Sequence, residues 1–184
     1  MREIIDEHIE IIEQLKNDED VIVQAVTMMT ECVKSGGKIL FCGNGGSAAD
    51  AQHLAAELSG KFYLNREPID AEALHVNTSY LTAVGNDMGF DKIYSRALKG
   101  KGKKGDILVA LSTSGKSTNV IEACKMAKEL GLKVFSLCGS DASEMSPYSD
   151  LILKVNSQDT PRIQEAHILV GHIFCAQIEK TLFG

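Results

Sequence analysis

The chain has 184 residues, 44% of them hydrophobic and 24% charged, with a formal net charge of -6. That length supports one core without covalent staples, and the composition excludes disorder; the acidic balance excludes a duplex-binding surface, which needs a basic patch to displace counterions. No stretch approaches the ~18 uninterrupted apolar residues of a membrane span, and residues 1–10 mix Arg2, Glu3, Asp6 and Glu7 with isoleucines where a signal peptide would be apolar.

A cytoplasmic protein with neither membrane nor nucleic-acid partners is therefore expected. From the amino terminus, Ile4, Ile5, Ile9, Ile11, Ile12 and Leu15 recur at helical spacing, and Val21, Ile22, Ala25, Val26, Met29, Cys32 and Val33 repeat it. Asn17 and Asp18 between them are capping residues, so residues 1–35 are predicted to form a helical hairpin. Its apolar positions exceed what one core needs, which points to packing against another subunit. Short apolar runs then follow at Ile39 to Cys42, Ala73 to Val76, Ile107 to Leu111, Lys133 to Leu137 and Leu151 to Val155. Helical patterns separate or follow them over Ser47 to Ser59, Ser79 to Gly85, Thr118 to Leu130 and Arg162 to Thr181. This alternation predicts an α/β three-layer sandwich, a five-stranded parallel sheet flanked by helices, with residues 1–184 as one domain. The basic run Lys99 to Lys104 reads as a solvated, glycine-rich loop. Five cysteines, Cys32, Cys42, Cys124, Cys138 and Cys175, include no C-x-x-C pair and mostly lie in apolar runs, so they are expected as buried thiols.

Two strand ends carry unusual sequence. The first runs into Gly43-Asn44-Gly45-Gly46-Ser47 and a helix; the third runs into Ser112-Thr113-Ser114-Gly115-Lys116-Ser117-Thr118 and another. Free backbone amides, hydroxyls and two helix amino termini at the carboxyl end of a parallel sheet form a cradle for phosphate. Two nucleotide motifs are approximated and fail. Gly43-x-Gly45-x-x-Ala48 needs an acidic residue closing the second strand, where His75-Val76-Asn77 stands, and the third-strand loop has Ala110 where a Walker A loop has glycine. On the helix after the first loop, His53 and Glu57 are four residues apart and share a face. The last helix sets Gln164, Glu165, His167 and His172 in apolar surroundings. His8, His75 and His167 are read as structural residues.

The residues from Gly43 to Leu58, with Asn86-Asp87, Ser112-Thr113-Ser114-Gly115 and Arg162-Ile163-Gln164-Glu165-x-His167, resemble the phosphoheptose isomerases, a family with the sugar-isomerase (SIS) fold, over nearly the whole chain. The resemblance implies a flavodoxin-like strand order, a homotetramer with active sites at subunit interfaces, and conversion of D-sedoheptulose 7-phosphate into D-glycero-D-manno-heptose 7-phosphate for lipopolysaccharide or capsule heptose. Carried over by position, it implies Glu57 and His172 as acid and base, and one zinc per subunit on His53, Glu57, Gln164 and His172. It further implies Asn44, Gly45, Gly46, Glu57, Asn86, Asp87, Ser112, Thr113, Ser114, Ser117 and Gln164 as substrate contacts. Lys116 departs from the family's loop.

The expected reaction is aldose–ketose isomerisation through an enediol. Glu57 is then asked to be both base and metal ligand, although a bound metal lowers the basicity a base needs. Gln164 and His172 stand eight residues apart, about 12 Å of rise and 80° of turn on a straight helix, which makes Gln164 the weakest of the ligands. A non-catalytic SIS regulator, like the factor that associates with the bacterial replication initiator, is the alternative from another class. An isomerase of a different sugar phosphate is the alternative within it.

Overall fold

In the computed structural model, which describes residues 1–142 and 144–184, alternation of side chains along the strands builds two separate cores. The strands are β1 (Ile39–Gly43), β2 (Ala71–Ala73), β3 (Ile107–Ser112), β4 (Lys133–Cys138) and β5 (Leu151–Lys154). They form one parallel sheet in the order β2-β1-β3-β4-β5. Successive strand residues point to opposite faces. Ile39, Phe41, Ile107, Val109, Leu111, Phe135 and Leu137 join one core, while Leu40, Cys42, Leu108, Ala110 and Val134 join the other.

The helices are α1 (Arg2–Gln14), α2 (Glu19–Lys34), α3 (Gly46–Ser59), α4 (Thr78–Met88), α5 (Ile93–Lys101), α6 (Thr118–Leu130) and α7 (Thr160–Phe183). The first core is closed by α1, α2, α3 and α7, the second by α4, α5 and α6. Because α3 leaves β1 on one face and α6 leaves β3 on the other, the order reverses between these neighbouring strands. A crevice opens at their carboxyl ends.

Three expectations need correction. The second strand ends at Ala73, and Leu74–His75 turn the chain; Leu74 extended the apolar run because it enters the second core, not because it is strand. The run Lys99 to Lys104 is only partly loop: its first residues form the last turn of α5, a helix unforeseen because its stripe is Ile93, Tyr94, Ala97 and Leu98 alone. Lysines there complement the negative end of the helix dipole. At the amino terminus a 3-10 turn, Leu15–Asp18, joins α1 to α2 without a loop residue, and each helix packs on α7 rather than along the other, so the pair is not a closed hairpin. Asp18 precedes α2 without a side-chain cap bond. All five cysteines are buried and free. Among the described residues no helix is long and apolar enough to cross a membrane.

Candidate active site

Helices α3 and α7 lie side by side in matched register. At one end, a Cβ on Gly46 would fall 2.5 Å from the Gln164 carboxamide; further along, a Cβ on Gly171 would fall 2.5 Å from the Leu54 side chain. Glycine at both points is what lets the helices approach. This register sets Gln164 against the loop where α3 begins and His172 beside His53, with ring centroids 5.1 Å apart at 69°. His53 Nε2 donates to Glu57 Oε1 at 3.1 Å. Glu57 is half-buried and His53 exposed. Phe62, just past α3, stacks on His172 at 5.8 Å and 29°.

The two loops meet above β1 and β3. Asn44 Nδ2 donates to Asn119 Oδ1 and Asn119 Nδ2 donates to Asn44 Oδ1, each at 2.8 Å. Ser112 closes β3, and its Oγ donates to Ser117 Oγ at 2.9 Å. Among the described residues no backbone carbonyl accepts from the amides of Gly45, Gly46 or Ser47, and Ala48 is the first in that turn to bond. Such amides at a helix amino terminus attract an oxyanion. Thr113 accepts from the Gly139 amide through its carbonyl, and Ser114 Oγ accepts from the Lys116 amide at 3.2 Å. Lys116 Nζ pairs with Asp141 Oδ2 at 2.8 Å, both about half exposed.

The signature of the SIS domain matches residues 4–139. The chain is 52% identical over 161 residues to the phosphoheptose isomerase of Rhodospirillum rubrum, covering 88% of this chain and 86% of that one. It superposes on phosphoheptose isomerase GmhA from Neisseria gonorrhoeae with a TM-score of 0.90 at 43% identity, covering 96% and 95% of the two chains. It belongs to the phosphoheptose isomerase family of SIS proteins. The phosphoheptose isomerase of Francisella tularensis superposes with a TM-score of 0.94 at 34% identity, over 97% and 96% of the chains.

Measured against the family's site, the fold brings His53, Glu57, His172 and Gln164 to the α3–α7 seam, and Asn44, Gly45, Gly46, Ser112 and Ser117 to the loop crevice. Asn86 and Asp87 stand apart at the end of α4. Both are exposed, Asn86 Nδ2 donates to Asp87 Oδ1 at 2.8 Å, and neither bonds to a residue of the seam.

Several groups at the site escaped the sequence reading. Asp50 precedes His53 by one turn; its Oδ2 is buried without a partner, and burial pushes its carboxyl up to about 6 against the opposing pull of His53. Its spacing from Glu57, about 20° around the helix, was a usable signal. Tyr94, raised by burial, donates its hydroxyl to the Gly43 carbonyl. Glu179 and Arg66 form an ion pair at 3.0 Å with both side chains 2% exposed. Glu179 also accepts from the amides of Phe62, Tyr63 and Leu64 at 3.2, 2.7 and 2.8 Å, and Arg66 donates to the carbonyls of Leu58 and Glu57 at 2.8 and 3.0 Å. This clamp sets the segment carrying Phe62 against His172. No local pattern ties residues so far apart in the chain.

The remaining histidines are structural in their placement. His8 Nδ1 donates to Glu165 Oε2 at 2.7 Å, joining α1 to α7. His75 is lowered by burial and stands edge-on to Tyr94. His167 is fully buried, and burial lowers it to about 4, with the Cys138 backbone weakly opposing.

Proposed function

We propose that this protein is a sugar-phosphate isomerase that converts D-sedoheptulose 7-phosphate into D-glycero-D-manno-heptose 7-phosphate, for lipopolysaccharide or capsule heptose. The observation that carries the reading is that His53 stands between Glu57 and His172 at the α3–α7 seam, next to a loop crevice suited to phosphate. The relatives' names support a phosphoheptose; the particular ketose and its pathway are proposed from the resemblance.

In the proposed chemistry the loops hold the phosphate and the seam takes the other end of the sugar. The Glu57 carboxylate removes a proton from C1 of the ketose; the released pair forms the C1–C2 double bond, and the carbonyl oxygen takes a proton from the His172 imidazolium. Neutral His172 then takes the proton of the C1 hydroxyl as that oxygen becomes the aldehyde, and Glu57 returns its proton to C2. Acid and base thus return to their starting states, as general acid–base catalysis requires. Phe62 against His172 limits the imidazole's rotation, and His53 holds the Glu57 carboxylate that must face C1.

Zinc on His53, Glu57, Gln164 and His172 is proposed from the resemblance alone. Two imidazoles and a carboxylate are suitable donors. As placed here they do not close a ligand set: His53 and Glu57 bond to each other, Gln164 lies at the loop end of the seam, and among the described residues no three His, Cys, Asp or Glu side chains converge. No step above runs through a metal. A homotetramer and a cytoplasmic location are proposed on the same footing; exposed Ile4, Ile5 and Ile9 on α1 support a partner surface.

The test is turnover by the purified full chain of sedoheptulose 7-phosphate and a panel of other ketose phosphates, with metal content measured and chelator added in parallel. Conversion of the heptulose supports the reading. Turnover of a different sugar only would replace the substrate, and no turnover of any would favour a regulator.

A further inference from the structure

The family's site treats Asn44 as a group that touches substrate, but its carboxamide is already engaged. It gives one N–H to Asn119 and receives one in return, at 2.8 Å each way. Asn119 is 3% exposed and stands in the first turn of α6, two residues after Ser117. The two strands that launch these segments are hydrogen-bonded neighbours, Cys42 beside Ala110 and Gly43 beside Leu111. The pair therefore spans the crevice at its base.

We propose that Asn119 is a positioning residue for the phosphate site: it locks the Asn44 side chain and thereby holds the first glycine loop at a set distance from the start of α6. The proposal rests on the reading of these loops as a phosphate cradle, not on the identity of the sugar. The substrate then meets the backbone amides of Gly45, Gly46 and Ser47, while the Asn44 side chain acts as a strut behind them. A glycine-rich loop has many accessible conformations, and an oxyanion gains most from donors that need no rearrangement on binding. Tyr94 braces the same loop from α5 through the Gly43 carbonyl. The matched pair also explains a carboxamide at position 119. A carboxylate there would oppose Asn44 Oδ1 with another acceptor and set a negative charge beside the anion, while an aliphatic side chain would leave Asn44 unanswered.

The test measures binding of inorganic phosphate by calorimetry, and kcat and KM for the sugar phosphate turned over, in the full chain. Asn119→Leu should raise the phosphate Kd and the KM about tenfold while kcat changes less than about threefold. Asn44→Leu should lose phosphate affinity to a similar extent, and the double variant should lose no more than either single one, since both remove the same tie. Asn119→Ser, smaller and polar, serves as the readout if the leucine variant does not fold. A phosphate Kd within twofold of wild type in the folded Asn119 variant, additive losses in the double variant, or no phosphate binding by wild type would each overturn the proposal. Loss of phosphate binding in Asn119→Leu alongside a wild type that isomerises no sugar would leave this proposal standing and remove the isomerase reading instead.

Discussion

His53 meets His172 edge-on at 5.1 Å while holding the Glu57 carboxylate at 3.1 Å, so a side chain of α7 and two of α3 form one continuous polar seam. Glu57→Gln keeps the shape of the carboxylate and His172→Gln keeps a polar side chain in place of the imidazole, and both remove the proton chemistry of the group. Each should lower kcat by at least about 100-fold, with far-UV circular dichroism unchanged. Turnover near wild type in either would remove that residue from the mechanism.

The Arg66–Glu179 clamp gives a stability prediction with a defined sign. Burial by itself would raise the Glu179 carboxyl, but three backbone amides and Arg66 outweigh it and hold it below its ordinary value. A carboxyl depressed in the folded state contributes stability that is present above its unfolded pKa and is lost as pH falls through the folded one. Glu179→Gln should cost about 3 kcal/mol at neutral pH, because it leaves a buried guanidinium without its charge partner, and the cost should shrink in acid. Urea denaturation of both proteins across the acid range checks it. Phe62→Leu, which spares the clamp, should lower kcat more than it changes stability.

His167 predicts a second pH effect. Its folded pKa is lowered from 6.5 to about 4 by burial. The unfolded chain takes up the proton first, so stability falls as pH drops from about 6.5 toward 4, by an amount on the order of 3 kcal/mol. In His167→Met that part of the slope should disappear. An unchanged slope in the variant would place the titrating group elsewhere.

Lys116 stands in the serine loop but pairs with Asp141 across exposed surface. Solvent screens such pairs and they add little to stability. Lys116→Gln should therefore leave the melting temperature close to wild type and KM within about threefold, as thermal melts and initial rates would register.

Much of the architecture was legible because strand and helix periods differ. The short uninterrupted apolar runs Ile39 to Cys42 and Ile107 to Leu111 mark strands buried on both faces, and glycine- and serine-rich segments directly after them mark the crevice. The pair His53 and Glu57 was legible too, because a four-residue spacing places two side chains together on any helix. The helix α5 was not, since four apolar residues followed by lysines fit a loop equally well. The short β2 was misplaced because burial beyond a strand's end looks like strand in the sequence.

By itself, then, the sequence determined what is local: the periods of the elements, the glycines that free backbone amides, and the one helix face carrying His53 and Glu57. The tertiary structure alone decided what depends on register between distant segments. The Gly46–Gln164 and Gly171–Leu54 contacts set His172 beside His53 and Gln164 at the loop. The parallel pairing of β1 with β3 brings Asn44 to Asn119, and the return of α7 brings Glu179 to Arg66. Spacing along a chain constrains side chains within one element; only packing constrains those between elements, and most of this site lies between them.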